Sequence, residues 1–519
     1  MNSSLPFVLP ESSVQLSLFR TGIDTQQEPV VYIRKDSPVC RAEGFRSQTR
    51  IRITTSLAGI VATLCIVEPL ALEGRCEWLR PGCAGVSEAA WHLLKLQGGE
   101  LASITHTKAV DSMSYVRGKL YGNAFSRPAL KHIVDDVVAG QYTDIQIAAF
   151  VAACTSANLS IDEVVYLTEA MVGAGQRMQW PYPQVMDKHC IGGLPGNRTT
   201  PIVVAIVAAC GLIIPKTSSR AITSPAGTAD TMAVLTKVDL SLDDMKQVVE
   251  QEGGCMVWGG SVNLSPADDV FIRVERALNL DSEGQLVASV ISKKLAAGST
   301  HVVVDIPFGS TAKMRDHSAA LALKNRLEEV GQRVQLNVRC MLTNGDEPIG
   351  MGIGPALEAV DVLAVLNNAA QAPADLRERA LHVAAELLEM GAVCAQGQGY
   401  ALAEQTLQSG QAWRKFQAIC LAQGGLFEPV IGTYRYDVFA ERSGIATFVN
   451  NRFIAKLAKL LGAPHAQGAG IKFLINLGEH VQKGQLLYSL FAESSGEMTY
   501  ALEFLKAHPN ELLIKDELL

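Results

Sequence analysis

The chain is short of several things that would point to particular functions. No sign of charge dominates: 45 Lys and Arg stand against 52 Asp and Glu, a net of −7. That argues against nucleic acid or an acidic membrane surface as the main partner. The 11 cysteines form no CxxC pair and no Cys/His cluster at zinc spacing, so no metal site is expected. Cys154, Cys210 and Cys394 stand in apolar surroundings and read as reduced core thiols, which suits a cytoplasmic location. The first residues, MNSSLPFVLPESSVQLSLFR, lack a basic segment followed by an apolar one, so no secretory leader is expected. The longest apolar run, near 201–214, is too short to span a bilayer. GxxxxGK[ST] is absent. Gly350-Met351-Gly352-Ile353-Gly354-Pro355 has proline where a dinucleotide fingerprint needs its third glycine, so close helix–sheet packing explains it better than a cofactor.

What remains is ordinary globular chemistry: 519 residues, 48% hydrophobic and 19% charged, enough for about three domains. Residues 1–105 read as β-rich, with strands at Val30–Ile33, Arg50–Ile53 and Ala58–Leu64. From Ser112 to Gly175 apolar residues recur at helical spacing, among them Tyr115, Leu120, Tyr121, Ile133, Val137, Ile145 and Phe150. From about 185 to 425 strand-like and helical runs alternate. Val302–Ile306 and Val334–Val338 are the clearest strands; Ser318–Val330, Pro355–Leu366 and Pro373–Met390 are the clearest helices. Such alternation implies an α/β sheet with ligands at the strand ends. Beyond 428 the chain turns β-rich, and Gly478 to Leu487 resembles half of a biotinyl/lipoyl hammerhead. No lysine stands near Ser494, so a structural domain is expected rather than a carrier arm.

The chemistry concentrates between Met186 and Asp230. Asp187-Lys188-His189-Cys190 precedes Gly192-Gly193 and Gly196-Asn197-Arg198-Thr199-Thr200; an apolar run follows; then come Lys216-Thr217-Ser218-Ser219-Arg220 and Ala226-Gly227-Thr228. Glycine lets backbone approach a ligand and offers its N–H groups to an anion. Lys188, Arg198, Lys216, Arg220 and the hydroxyls add donors, a set that suits phosphate.

DKHxxGG followed by SSRAITSxAGTAD resembles the pyrimidine-nucleoside phosphorylase family, and most closely its long form, the type 2 thymidine phosphorylases and AMP phosphorylases. The resemblance continues through VWGGSVNLSPADD, ASVISKKLAAGST, VVVDIPFGSTAKM and NGDEPIGMGIGPALEAVDVL, and so covers most of the chain. It implies an α/β multidomain protein. A helical domain (106–184) would pack across a cleft from a large α/β phosphate- and nucleoside-binding domain (185–427). A β-rich N-terminal domain (1–105) and an α+β, hammerhead-like C-terminal domain (428–519) would flank them. It also implies a pentosyltransferase that splits an N-glycosidic bond with inorganic phosphate: thymidine + phosphate = thymine + 2-deoxy-α-D-ribose 1-phosphate. The alternative is phosphorolysis of AMP or another nucleoside monophosphate to a base and ribose 1,5-bisphosphate. No cofactor is implied, phosphate being a co-substrate. The partners would be the nucleoside or nucleotide, phosphate and a second copy of the chain, as a homodimer or larger homo-oligomer.

Residue by residue, the resemblance implies that Lys188, Cys190, Gly193, Thr200, Ser218 and Thr228 contact phosphate. Cys190 departs from the serine of the short thymidine phosphorylases, and a thiol is a weak donor. His189 would either donate to the base carbonyl or brace the loop. Asp281 matches the proton donor of the AMP phosphorylases, or else caps a turn; as a donor it would need burial to raise its pKa. Ser289 and Lys293, four apart, share a helical face and match contacts to the pyrimidine edge. Their arginine partner is missing, since position 274 is valine with Arg273 and Arg276 beside it. Ser219, Arg220, Ala221, Ile222, Thr223, Ser224 and Lys313 match nucleotide-binding positions, Ile222 offering an apolar face to the base. A phosphoribosyltransferase of the anthranilate type would instead need magnesium, for which Asp268-Asp269 is the nearby acidic pair. A catalytically dead nucleotide-binding regulator is disfavoured by the presence of Lys188, His189, Arg220 and Lys293 together.

Overall fold

Alternation of apolar and polar residues places one face of each early strand inward. The strands are β1 (Gln15–Arg20), β2 (Val30–Arg34), β3 (Arg50–Thr54), β4 (Gly59–Val67), β5 (Cys83–Val86) and β6 (Leu101–His106), with two short helices, α1 (Pro38–Glu43) and α2 (Glu88–Leu93). They form a closed barrel in the order β1-β5-β2-β4-β3-β6. Leu16, Leu18, Val31, Ile33, Ile51, Ile53, Leu64 and Val86 fill its interior at the period of two that a pleated strand dictates. Closure leaves no unpaired edge. The computed structural model describes residues 15–25, 28–68, 78–156, 158–221, 224–262, 264–278, 280, 282–509 and 511–515.

The chain divides into two compact units, Met1–Asn158 with Asp269–Leu280, and Leu159–Asp268 with Asp281–Leu519. The first holds the barrel and the helices α3 (Met113–Leu120), α4 (Arg127–Val138) and α5 (Asp144–Ser156). Ser126 caps α4 by accepting from the Ala129 N–H, and Leu130, Ile133, Val134 and Val137 form its buried stripe. Tyr115, Leu120, Tyr121 and Ile145 are exposed, contrary to the spacing-based expectation. They fall at the ends of α3 and α5, where the stripe no longer faces the core.

The second unit begins with α6 (Ile161–Gly173), started by a capping box between Ser160 and Glu163. Its sheet strands are β7 (Met186–Cys190), β8 (Ile214–Ser218), β9 (Gly254–Trp258), β10 (His301–Phe308) and β11 (Asn337–Asn344). All pairings are parallel: β11-β10-β7 in one sheet and β8-β9 in another. The Met186 N–H donates to the Ile213 carbonyl at 2.7 Å, which sets β7 beside β8. β10 is buried from Val302 to Pro307, as expected of a strand covered on both faces. The helices between and around them are α7 (Thr199–Ala209), α8 (Thr228–Leu235), α9 (Leu242–Glu252), α10 (Pro266–Leu278, which ends in the first unit), α11 (Glu283–Ala296), α12 (His317–Arg333), α13 (Pro355–Leu366), α14 (Ala374–Met390), α15 (Gly399–Gln408) and α16 (Gln411–Ala422). α7, apolar all round, is buried from Thr199 to Ala208 and lies at the centre of the main core with α13, α14 and α16. The strand expected at Val334–Val338 starts three residues late: Val334 ends α12 and Gln335 turns at φ 60°, so only Asn337 and Val338 of that stretch belong to β11.

The remaining elements are β12 (Gly352–Ile353), β13 (Tyr434–Phe439), β14 (Gly444–Val449), α17 (Asn451–Leu460), β15 (Gly470–Phe473), β16 (His480–Val481), β17 (Leu486–Ala492), α18 (Ser495–Ala507) and β18 (Leu512–Lys515). They make two antiparallel sheets, β12-β15-β17-β13 and β16-β14-β18. Ser494 caps α18. A side chain on Gly354, at φ 118°, would run into the Ala469 carbonyl, so the glycines of the 350–354 stretch serve close packing. Among the described residues no helix is long and apolar enough to cross a membrane.

Candidate active site

β7 and β8 are parallel strands that deliver Lys188-His189-Cys190 and Thr217-Ser218 to their carboxyl ends, the end at which open α/β sheets bind ligands. Beyond β7 the backbone turns through Gly192 and Gly193 at φ +84° and +82°. Gly193 packs against the backbone of Lys313: a Cβ there would lie 2.6 Å from the Lys313 nitrogen. Only glycine meets both demands.

The pleat sorts β7 into two faces. On one, Lys188 is 1% exposed. Its ammonium donates to the Thr199 and Thr200 hydroxyls at 2.6 and 3.3 Å, both in the first turn of α7. Burial lowers its pKa, partly offset by Cys190 and Asp305. Beside it Asn197 Nδ2 donates to Asp305 Oδ2 at 3.2 Å and contacts Cys190 Sγ at 3.3 Å. Burial pushes the Cys190 thiol up to about 12, so it stays protonated. On the other face the buried Asp187 carboxylate meets Lys294 Nζ at 2.8 Å and Lys216 Nζ at 3.3 Å. It also accepts from the Ser299 hydroxyl at 3.1 Å. Burial alone would raise its pKa; the two lysines more than offset this. His189 follows on that face. The residue is half-buried, and loss of solvent on burial and then the charges of Lys294, Lys216, Lys293 and Lys188 hold its pKa well below the usual value. It is a neutral imidazole at neutral pH, a hydrogen-bond donor rather than a cationic acid.

The loop after β8 completes the set. The Ser218 hydroxyl is buried and has no hydrogen-bond partner among the described residues. Arg220 reaches Asp230 at 3.5 Å and Asp239 at 3.4 Å and lies over the Trp258 ring, 4.9 Å from its centroid. Asp230 also accepts from the Ala221 and Gly227 N–H groups at 2.6 and 2.9 Å, which folds this loop back onto α8. A side chain on Gly227 would lie 2.6 Å from the Ser219 carbonyl. Ser219 is exposed; Ser224 is half-buried and donates to the Ala226 carbonyl at 2.8 Å. Thr228 opens α8 and accepts from Arg198 at 2.8 Å. On α11, Lys293 is paired with the buried Asp268, and Ser289 lies one turn before it.

Asp281, Ile222 and Thr223 lie outside the described residues. Arg198 and Lys216, read as phosphate donors, are engaged by protein: Arg198 by Glu358, Thr228 and Ala226, and Lys216 by Asp187 and the Thr217 carbonyl. Each is buried deeply enough that its charge needs a fixed partner. Of the two arginines flanking Val274, Arg273 is committed to Asp144 through paired bonds at 2.8 and 2.9 Å within the first unit. No group of three metal-ligating side chains occurs among the described residues.

Residues 182–413 match the glycosyl transferase family a/b domain, and residues 113–175 its helical bundle domain. The chain is 58% identical, over 97% of its own length and 98% of the relative's, to a protein of Hahella chejuensis named “Putative thymidine phosphorylase”. Proteins of Acidovorax sp. and Legionella pneumophila with the same designation are 54% and 52% identical, each over 96% of this chain and 96% and 95% of theirs. The chain belongs to the pyrimidine-nucleoside phosphorylase family. It is thus a pentosyltransferase with a helical bundle and an α/β domain. The anthranilate phosphoribosyltransferase of Thermus thermophilus covers 59% of this chain and 98% of its own, with a TM-score of 0.50 and 16% identity, and shares the fold.

Three features of the phosphorylase escaped sequence reasoning. The Asp187–Lys216–Lys294 cluster was signalled only by an aspartate before Lys188 and a doubled lysine at 293–294. The roles of Asn197 and Asp305 depend on β7 pairing with β10, which sets Cys190 opposite Asp305. Glu358, 160 positions from its partner Arg198, carried no local signal.

Proposed function

We propose that the enzyme cleaves thymidine with inorganic phosphate at the carboxyl ends of β7 and β8, giving thymine and 2-deoxy-α-D-ribose 1-phosphate. The observation that carries this reading is the direction of the hydroxyls. Lys188 donates to the oxygens of Thr199 and Thr200, and Arg198 to that of Thr228. A hydroxyl has one hydrogen to give, so each of these keeps its own for another acceptor. Ser218, buried and unpartnered, adds a fourth. A phosphate dianion takes such donors, and the excess of lysine over carboxylate around β7 suits its charge.

A phosphate oxygen attacks C1′ of the sugar while the C1′–N1 bond breaks, its electron pair passing to the base. The neutral His189 ring donates a hydrogen bond to the base carbonyl that gains charge, and a proton from solvent or Asp281 neutralises the departing thymine. Ser289 and Lys293 contact the pyrimidine edge, with Lys293 held by Asp268. By the family resemblance Gly193, Cys190 and Thr200 contact the anion, Ser219, Ala221, Thr223 and Ser224 bind the nucleoside or nucleotide, and Ile222 offers an apolar face to the base. Phosphate supplies the nucleophile, and this chemistry calls for no redox or carbonyl cofactor. A cytoplasmic homo-oligomer organised in the four domains set out from the sequence fits the same reading.

One observation favours a second substrate. Lys313 is fixed against Gly193, in the turn that follows β7, where it would meet a 5′-phosphate. The test is base release from thymidine, uridine, AMP and CMP by wild type and Lys313→Ala. Thymidine turnover unaffected by the substitution supports thymidine. A monophosphate cleaved well by wild type, with KM raised about tenfold or more in the variant, as loss of a charged hydrogen bond requires, supports the nucleotide reading.

A further inference from the structure

The Arg198 side chain makes three bonds in one plane. Its Nε donates to Glu358 Oε2 at 2.7 Å, its Nη1 to Thr228 Oγ1 at 2.8 Å and its Nη2 to the Ala226 carbonyl at 2.9 Å. Glu358, 1% exposed, accepts further from the Thr231 hydroxyl at 2.9 Å and the Gly354 N–H at 3.3 Å. Three separate stretches of chain therefore meet on one ion pair: the turn leading into α7, the turn leading into α8, and the start of α13.

Stability alone is a poor explanation for this arrangement. A buried ion pair gains little over apolar residues of the same volume, because both ions lose their water. Its directional content is another matter. Arg198 immediately precedes Thr199 and Thr200, the hydroxyls that hold Lys188, and its guanidinium ends on Thr228 at the first turn of α8. One residue thus spans the β7 side and the β8 side of the phosphate site. By giving its N–H to the Thr228 oxygen it fills an acceptor position there and directs the hydroxyl hydrogen away from itself.

We propose that Arg198, anchored by Glu358, is a positioning residue for phosphate: it sets the distance between the two loops and turns the Thr228 hydroxyl so that it donates to the anion. This rests on the reading of Thr228 as a phosphate contact. A lysine at 198 keeps the charge beside Glu358, but its single nitrogen cannot span three acceptors in a plane.

The test is calorimetric binding of inorganic phosphate to the full chain, with melting temperature as the control for folding. Thr228→Ala should raise Kd about tenfold, the loss of one hydrogen bond to a charged group. Arg198→Lys should raise it about fivefold with a melting temperature close to wild type. The double variant should match Thr228→Ala within twofold, since residues acting through one another are not additive. Glu358→Gln keeps the shape but removes the anchoring charge and one of the two acceptor oxygens, and should weaken phosphate in the same sense even where Arg198→Lys folds poorly. An Arg198→Lys protein that binds phosphate within twofold of wild type overturns the proposal, as does an unchanged Kd in Glu358→Gln or a double variant weakened by the product of the single effects. In those cases a weakened Thr228→Ala leaves the phosphate site itself standing. Unchanged binding in Thr228→Ala removes Thr228 from the site and the positioning role with it.

Discussion

The two sides of the proposed phosphate site are built differently. On the β7 side every charged group is fixed: Lys188 by two threonines, and Asp187 by Lys216, Lys294 and Ser299, all buried. On the β8 side, the Arg220 side chain is 41% exposed and its carboxylate contacts stand at 3.4 and 3.5 Å, beyond good hydrogen-bond length. Its firmest neighbour is the face of Trp258. The difference separates two tasks. A preorganised floor stabilises charge without reorganising at the moment of reaction. A loosely held arginine can leave its resting contacts for a substrate at little energetic cost.

The contrast can be broken from the floor first. Lys188→Ala should lower kcat about 10²–10³-fold, as loss of a preorganised donor does, and should also lower the melting temperature, because Thr199 and Thr200 lose their buried partner. Steady-state kinetics and thermal melts measure both. Arg220→Ala should lower kcat/KM by roughly 10- to 100-fold, the loss of a charged hydrogen bond. Stability should stay within about 0.5 kcal/mol of wild type, because exposed ion pairs contribute little. A melting temperature that falls as far as in Lys188→Ala would show the loop to be as fixed as the floor.

Ser218→Ala sharpens the comparison. Removing a buried hydroxyl without a partner relieves an unmet desolvation cost, so the melting temperature should hold or rise while phosphate affinity falls about three- to tenfold.

His189 gives the pH dependence. Its pKa is lower in the folded chain than the roughly 6.5 of an unfolded histidine. Between those two values the unfolded chain holds more protons, so folding stability rises with pH across that window and gains nothing further above about 6.5. Melting temperatures at pH 5.5 and 7.5 should therefore differ more in wild type than in His189→Asn. The smallest effect belongs to Cys190→Ser, expected within about twofold of wild-type kcat/KM. The thiol is protonated and held by Asn197, and an alkylating reagent at pH 8 should leave it unmodified.

Much of this was legible locally. The glycines after Cys190 and the hydroxyls around Ser218 suggest the proposed anion loop by chemistry alone, and β10 and α13 follow from mostly apolar runs. What was not legible depends on contacts distant in sequence. Val334–Val338 has the alternation of a strand, yet α12 continues to Arg333 and residues 334–336 are spent on a turn, so the strand begins only at Asn337. Tyr121 and Ile145 keep helical spacing at helix ends, where spacing no longer decides burial. Arg198 and Lys216 look like free phosphate donors until Glu358 and Asp187 are brought beside them.

The central claim is tested most directly by ³¹P NMR of the enzyme turning over thymidine with inorganic phosphate. The account predicts that the phosphate resonance is consumed and a sugar 1-phosphate appears in step with free thymine, and that no thymine forms when phosphate is left out. Thymine released without phosphate, or released with phosphate present but with no sugar 1-phosphate formed, would contradict it.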